Sequence, residues 1–487
     1  MSLTFSALIV GLMTILTAGF GALFSLLHRA DFAIALSFVS SISLVILGRI
    51  LVGHYTNFTV VFLGFSALYG LSGPIAAQYG EGLPPVFPTP YLTEEFLFCY
   101  SLAILGMVFG LLFVASLRSA KRSDMRIRGY NTTALLSTSY LFSLAASLME
   151  IVNFWRVGGF QTLFAGKAVY QSAVADLTGT LPSIQVMLLS AALLGLSFSI
   201  SHTDLSNGKM KIRHYLPRVF VWVVLGLPLI LSLLLLGRRG PLLSLIVVLF
   251  VGLFYARPIR TLRLKWIAVG LIVYMALGFL YGARSYVAPA LASGDWSRLL
   301  ERIGTAEFWI TSLNPARNEF GAPFGNFNTY ILYGGSGLRW GETYLIGFAE
   351  PIPRFIWPNK PKTVTYEFRD TFFPNWAERG RIAGTAYSSI LEAYVNFGQV
   401  GVFVVYTVVG FFLGLLEVRR AGSGSLGYAT FYLTLLPVSI SFHRSSFGLP
   451  LFWPLVLSVS AVMTYTFITA IVCGWRRHST CVEPNGH

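Results

Sequence analysis

The chain has 487 residues, 55% of them hydrophobic and only 11% charged, with a mean hydropathy of +0.68. A soluble chain of this length needs far more charge to cover its surface, so a water-soluble globular enzyme is excluded. The net charge of +15 is dispersed through short segments between apolar runs, which speaks for the loop bias of a membrane protein and against a nucleic-acid binder.

Apolar runs near 20 residues without period-2 alternation select spanning helices over barrel strands. In chain order the candidate spans are 3–27, 32–51, 58–78, 94–117, 133–153, 181–201, 217–236, 241–256, 266–284, 397–417, 426–442 and 451–474. The first run is too long, and too closely followed by a second, for a cleaved signal peptide. Cationic clusters follow alternate spans: Arg118–Arg128 after the fourth, Lys209–Arg213 after the sixth, Arg257–Lys265 after the eighth, Arg419 and Arg420 after the tenth, Arg476 and Arg477 after the twelfth. All fall on one side if the count is even, and the positive-inside rule makes that side, with both termini, cytoplasmic. Arg49 is the one charge expected inside a span. Cys99, Cys473 and Cys481 form no disulfide framework and no zinc spacing.

The expected fold class is therefore all-α: a polytopic integral membrane protein with about twelve transmembrane helices and one large periplasmic loop. Residues 1–285 form an N-terminal bundle of about nine helices, 286–396 the loop, 397–475 the C-terminal helices and 476–487 a cytoplasmic tail. Long loops of this kind fold or carry function, and this one is too aromatic for a disordered linker. Its stretch from Asp295 to Gly304 has the spacing of a short amphipathic helix near the interface.

Charges that break the positive-inside pattern point to chemistry. Arg238 and Arg239 stand in Gly237-Arg-Arg-Gly240-Pro241, a tight turn on the outer side by this topology. Arg284 ends the ninth span, and His443 and Arg444 fill the turn between the eleventh and twelfth. Such a set can converge on a cationic pocket between helix ends, where Arg forks pair with phosphate oxygens and keep their charge. Lipid snorkelling is the plainer alternative for the arginine turn. Nucleotide sugars are not supplied outside the membrane, so a lipid-linked phosphate or pyrophosphate is the anion to expect. No acidic pair stands in the first outer loop, and no His/Asp/Glu set has metal spacing, so arginines in place of a metal would stabilise a leaving phosphate. Glu150, Glu319, Glu350 and Glu392 are the outer carboxylates; Glu392 or a neutral His can take a proton from a sugar hydroxyl, or Glu392 can simply position an arginine. Trp309, Tyr330, Tyr333, Trp340, Tyr344, Trp357, Tyr366 and Trp376 can stack on sugar rings, or serve as interfacial anchors and loop core.

Three stretches carry a family resemblance: Gly237-Arg-Arg-Gly-Pro-Leu-Leu243, Pro351-Ile-Pro-Arg-Phe-Ile-Trp-Pro-Asn-Lys-Pro361, and Gly384-Thr-Ala-Tyr-Ser-Ser-Ile-Leu-Glu-Ala-Tyr-Val-Asn-Phe-Gly398. Together with the layout of spans around one large loop, they resemble the O-antigen and oligosaccharide repeat-unit polymerases of the Wzy type, which are similar to the GT-C-like membrane transferases. The resemblance implies an inner-membrane glycosyltransferase working on the periplasmic face. It would move a glycan from undecaprenyl pyrophosphate to the non-reducing end of a second lipid-linked unit, without cofactor and with inversion. It implies Arg238, Arg239 and Arg284 as pyrophosphate ligands, Arg354, Arg381 and Arg444 lining the site, and Glu392 or His443 as base. Partners implied are undecaprenyl-pyrophosphate-linked oligosaccharide, membrane lipid, a chain-length regulator and a flippase, with no nucleic acid. The nearest rival is an O-antigen ligase. A polyprenyl-phosphate-sugar transferase would carry acidic residues in the first outer loop, a flippase polar residues at mid-membrane, and a scaffold no outward arginines.

Overall fold

The computed structural model describes residues 5–79, 90–117, 132–164, 170, 181–207, 215–255, 259–315, 320–334, 337–349, 352, 357–375, 386–422, 426–447, 463–465 and 468. Among these residues the regular structure is helical and no strand occurs. The protein is an all-α polytopic membrane protein. The long helices are α1 (Phe5–Leu26), α2 (Ala30–Val52), α3 (Phe58–Tyr79), α4 (Pro90–Ser116), α5 (Thr132–Arg156), α7 (Leu181–Asn207), α8 (Leu216–Leu235), α9 (Arg239–Leu253), α10 (Leu264–Ser293) and α16 (Ser389–Gly422). Short α6 (Gly159–Phe164) follows α5. Between α10 and α16 lie α11 (Ser297–Ile303), α12 (Ala306–Leu313), α13 (Ala322–Tyr333), α14 (Glu342–Ala349) and α15 (Val364–Phe372), and after α16 come α17 (Leu426–Thr434) and α18 (Val438–Ser441).

Among the described residues eight helices are long and apolar enough to cross a membrane, at the first five, the seventh, the ninth and the tenth expected spans. Shorter apolar stretches, Leu188–Ser197, Gly240–Leu253 and Tyr428–Ser441, stand at the sixth, eighth and eleventh. The last differs from expectation: the run 426–442 is two helices parted at Leu435–Pro437, because Pro437 has no N–H to continue the ladder. The twelfth expected span, 451–474, lies almost wholly outside the described residues. The outer faces of α1, α8 and α10 are bare and apolar, with Leu12, Phe220 and Leu271 exposed, as lipid contact requires.

The centre of the bundle is α4 against α16. Gly106 and Gly110 of α4 lie against Phe403, Thr407 and Gly410 of α16, and Gly410 and Gly414 of α16 lie against Met107 and Val114 of α4. A Cβ on Gly106 would stand 2.4 Å from the Phe403 carbonyl oxygen, and one on Gly410 2.3 Å from that of Met107. Small residues four apart on both partners let two backbones touch where lipid supplies no hydrophobic drive.

The two ends of the bundle differ in content. At one, the Tyr55 N–H donates to the Ile259 carbonyl (2.8 Å), Ile259 N–H to Thr56 Oγ1 (3.1 Å) and Arg49 Nη2 to the Arg260 carbonyl (3.1 Å). This gathers segments that the charge pattern assigned to one side. At the other end the long segment after α10 folds onto the bundle: Phe324 and Phe327 of α13 are fully buried, with ring centroids 5.2 and 5.3 Å from Phe96 at the start of α4. Phe324 fills the space a side chain on Gly73 would need. This segment is therefore partly core, with α10 running on to Ser293 and α16 starting at Ser389. Gly398 (φ 69°, ψ −161°) kinks α16 where the span was expected to begin, in a region of backbone space open only to glycine.

One expectation fails outright. Arg49 is not the sole charge within a span, and Arg420, counted with the cations that follow the tenth span, is buried. Glu417 and Arg420 both lie inside α16, with side chains 0% and 2% exposed and Arg420 Nε 2.9 Å from Glu417 Oε2. Glu417 Oε1 also accepts from Thr59 Oγ1 (3.2 Å), Thr59 N–H (3.2 Å) and Tyr432 O–H (2.6 Å). Arg420 Nη2 donates to His54 Nε2, and the guanidinium lies over the Tyr432 ring. Burial, then the Arg420 charge, push His54 down to about 3, so its ring is neutral and free to accept. The pair sits three residues apart on one face and neutralises itself within the protein.

Candidate functional site

The turn between α8 and α9 is made by Gly237, whose φ of +57° reverses the chain at once. The Gly237 and Arg238 N–H groups cap the α8 carbonyls of Leu234 (3.0 Å) and Leu233 (2.8 Å). Arg238 is then turned toward the end of α5. It is half-buried there, and the loss of water around it pulls its guanidinium below the ordinary value, while the Glu150 carboxylate and Tyr170 oppose the shift. Tyr170 O–H donates to Glu150 Oε1 (3.0 Å), and burial, then that carboxylate, push the phenol up. Glu150, expected as one of the outer carboxylates, thus belongs to the Arg238 surroundings.

The turn after α18 comes to the same place. Its N–H groups at Arg444 (3.1 Å) and Ser445 (2.8 Å) bond the Ser441 carbonyl, and Arg444 Nη1 reaches to 3.4 Å from where a Cβ on Gly240 would stand. Gly240 leaves the room for that approach. Two arginine turns separated by some two hundred residues of chain therefore meet. His443 beside it is buried: its Nε2–H donates to the Phe62 carbonyl (3.2 Å), and the ring lies 4.5 Å from that of Phe62 and 5.9 Å from that of Tyr69. A carbonyl only accepts, so the neutral ring keeps its lone pair on Nδ1. His443 also borders a small cavity of about 10 Å³ with Ser66, Ser388, Ser389 and Tyr406, about the room of one water.

Glu392, in the first turn of α16, is 1% exposed. Oε1 accepts from Thr343 Oγ1 (2.9 Å) on α14, and Oε2 accepts from the Phe447 N–H (2.8 Å) of the turn that carries His443 and Arg444. The carboxylate thus ties three outer segments into one unit. Asn396, one helical turn on, completes it. Its Nδ2 donates to Thr343 Oγ1 (2.6 Å) and to the Glu392 carbonyl (2.7 Å), and its Oδ1 accepts from Gly341 N–H (2.9 Å). The neighbouring Trp340 (φ 48°) and Ser388 (φ 72°) hold left-handed backbone without being glycine, a strain that clusters at functional sites. Asn396 and Thr343 were missed by the sequence reading; the i,i+4 spacing of Glu392 and Asn396 on a helix start was the available signal.

Of the other expected residues, Arg239 begins α9 and Arg284 lies in α10, while Arg354 and Arg381 fall outside the described residues, as do Glu319, Glu350 and Trp376. Arg339 is engaged elsewhere, with Nε 2.9 Å from Glu342 and Nη1 3.0 Å from Glu367, and Glu342 above all raises its guanidinium above the ordinary value. Among the aromatics, Trp309 is loop core, its Nε1–H donating to the Ile303 carbonyl (2.9 Å), and Tyr344 lies between Phe397 and Phe447. Tyr333 and Trp340 are exposed. Among the described residues no group of three His, Cys, Asp or Glu side chains is arranged to hold a metal ion.

The model of the family O-antigen polysaccharide polymerase Wzy matches residues 363–473. No curated protein and no solved structure matches the chain. The matched segment carries Glu392, Asn396, His443 and Arg444, so that this part of the chain is similar to the Wzy O-antigen polysaccharide polymerases.

Proposed function

We propose that the protein polymerises undecaprenyl-pyrophosphate-linked oligosaccharide units at the periplasmic face of the inner membrane, with both termini cytoplasmic. The observation that carries this reading is the meeting of Arg444 with the Gly237-Arg-Arg-Gly240 turn. Arginines gathered at one helix-end level suit a pyrophosphate whose tail lies in the bilayer. In the reaction a hydroxyl of the acceptor unit attacks the anomeric carbon of the donor glycan. The bond from that carbon to the pyrophosphate oxygen breaks, its electron pair leaves with the lipid pyrophosphate, and the configuration inverts. Arg238, Arg239, Arg284 and Arg444 meet the charge that develops on the leaving group, with Arg354 and Arg381 lining the site and no metal required. His443 Nδ1 takes the hydroxyl proton. Glu392, with one oxygen on Thr343 and the other on Phe447, acts as a positioning residue for the Arg444 turn.

The test is the ladder of lipid-linked and core-linked glycan made by point variants in a deletion strain. Arg444→Ala should leave single repeat units capped on lipid A core, a loss of roughly thirty-fold to several thousand-fold, equivalent to about 2–5 kcal/mol for truncating one side of a desolvated ion pair. Arg444→Lys should restore part of it, since a point charge cannot reproduce the planar fork. Arg263→Ala at the other end of the bundle is the control. Full-length polymer from Arg444→Ala, or long undecaprenyl-linked chains, would overturn the reading, the second outcome in favour of a ligase. Purified protein that polymerises in EDTA supports the metal-free site; activity lost to chelation and regained with magnesium would refute it.

A further inference from the structure

Helix α14 is built the wrong way round for a helix in water. Its Thr343 and Gly347 side is buried against α16, where Thr343 bonds Glu392 and Tyr344 packs on Phe397 and Phe447. Away from that side stand Leu345 and Phe348, each 70% exposed, the Phe348 ring also meeting Phe447 edge-on (5.7 Å), and the preceding turn shows Trp340, 77% exposed. Glu342, in the first turn and at the edge of the exposed side, is held by Arg339 (2.9 Å). A loop helix facing solvent would be polar there. An exposed apolar face of this size marks a partner or a membrane.

Its position decides between these. Gly341 and Leu338 lie against Phe397 and Gly398, at the kink of α16. From that kink runs the lipid-facing stripe of α16, Val400 (73% exposed), Val404 and Val408. The bare face of α14 thus continues a face that already requires lipid. We propose that α14 is an interfacial helix, its Leu345 and Phe348 side sunk in the outer leaflet, at the depth of about 5–10 Å usual for such helices. Trp340 suits the headgroup level that indole rings favour. The seat has a consequence that rests on the anion-site reading above. Thr343, on the inner side of α14, holds Glu392, and Glu392 holds the Phe447 N–H of the Arg444 turn, so the depth of α14 sets the height of the arginines relative to the lipid phosphates.

Nitroxide labels test this in the full-length protein in proteoliposomes. The background carries Cys473→Ser and Cys481→Ser and keeps the buried Cys99. Labels go at Leu345→Cys and Phe348→Cys, with Val400→Cys as the lipid reference and Glu301→Cys as the water reference. High collision with oxygen and low collision with a water-soluble nickel chelate, as at Val400, is the expected result. Nickel accessibility equal to that at Glu301 would overturn the proposal, because the face then lies in water. Low accessibility to both reagents would also overturn it, because protein, a second copy or another chain, then covers the face. The readout needs no catalysis: a lipid-seated α14 in a chain without polymerase activity would refute only the proposed function, and a water-exposed α14 in an active polymerase only this inference.

Discussion

Helix α16 carries a buried carboxylate near each end, and the two are used differently. Glu417 is neutralised by Arg420 on its own helix and is tied further to Thr59 and Tyr432 of neighbouring spans. Everything it touches belongs to the helical frame. Glu392 joins irregular outer segments: the Thr343 hydroxyl of α14 and the backbone of the turn that presents Arg444. The first arrangement locks helices at one end of the bundle; the second sets the shape of a surface at the other. A buried charge by itself therefore says little about function, and what its partners are attached to says much more.

Breaking the first lock should have the larger effect. Glu417→Ala leaves the Arg420 guanidinium buried without its countercharge, which costs about 3–5 kcal/mol. Thermal unfolding in detergent should show a large drop, with little folded protein recovered. The double change Glu417→Leu with Arg420→Met should regain most of the stability, since removing both charges removes the uncompensated one. A single variant as stable as the parent would mean that water or lipid headgroups, and not the protein, solvate the arginine.

Glu392 comes next. Glu392→Ala orphans the Phe447 N–H, at about 1–3 kcal/mol for a buried donor, and frees the Arg444 turn, so polymer should shorten or vanish while the bundle still folds. Glu392→Gln keeps one acceptor oxygen and should retain part of the activity, with the pH profile of polymerisation unchanged. Complete loss with Gln, at parental melting temperature, would instead make the carboxylate the proton acceptor and move that role away from His443.

The same contrast explains what could be read in advance. Spans were legible because lipid imposes length and apolar character on every helix that crosses it; α2, expected at 32–51, occupies Ala30–Val52. Loop cations gave an expected side for each loop, and two segments expected on one side, 53–57 and 259–263, bond to each other. The pairing of Arg420 was not legible, because a positive-inside count sees a cation near a helix end and cannot see Glu417 beside it. The burial of α13 was missed because Phe324, Asn326, Phe327 and Asn328 together read as an aromatic, polar loop; only the hole left by Gly73 shows where Phe324 goes. At the site, the arginine turns could be listed from the sequence, but their meeting depends on tertiary folding, and so does the placing of Thr343 beside Asn396.

The weakest contacts in the comparison are the exposed ion pairs of the outer segment, and they sharpen it through pH. Arg339 holds the Glu342 carboxyl below the usual range, and Lys362, then Arg369, do the same for Asp370. A carboxyl whose folded value is depressed adds stability that is present above its unfolded value and is lost as pH falls through the folded one. Acidification from neutral pH to below about 4, the ordinary carboxyl range, should therefore loosen the 337–375 region. The effect is small, because solvent-exposed pairs contribute about 0–1 kcal/mol and are screened by salt. Hydrogen exchange in proteoliposomes should show faster exchange there at acid pH and at high salt, and less of the salt response in Glu342→Gln. The Glu417–Arg420 end, where solvent does not enter, should show no salt response at all. Equal salt sensitivity at the two ends would mean that the buried pair is hydrated, and the distinction between a locked end and an adjustable end would fall.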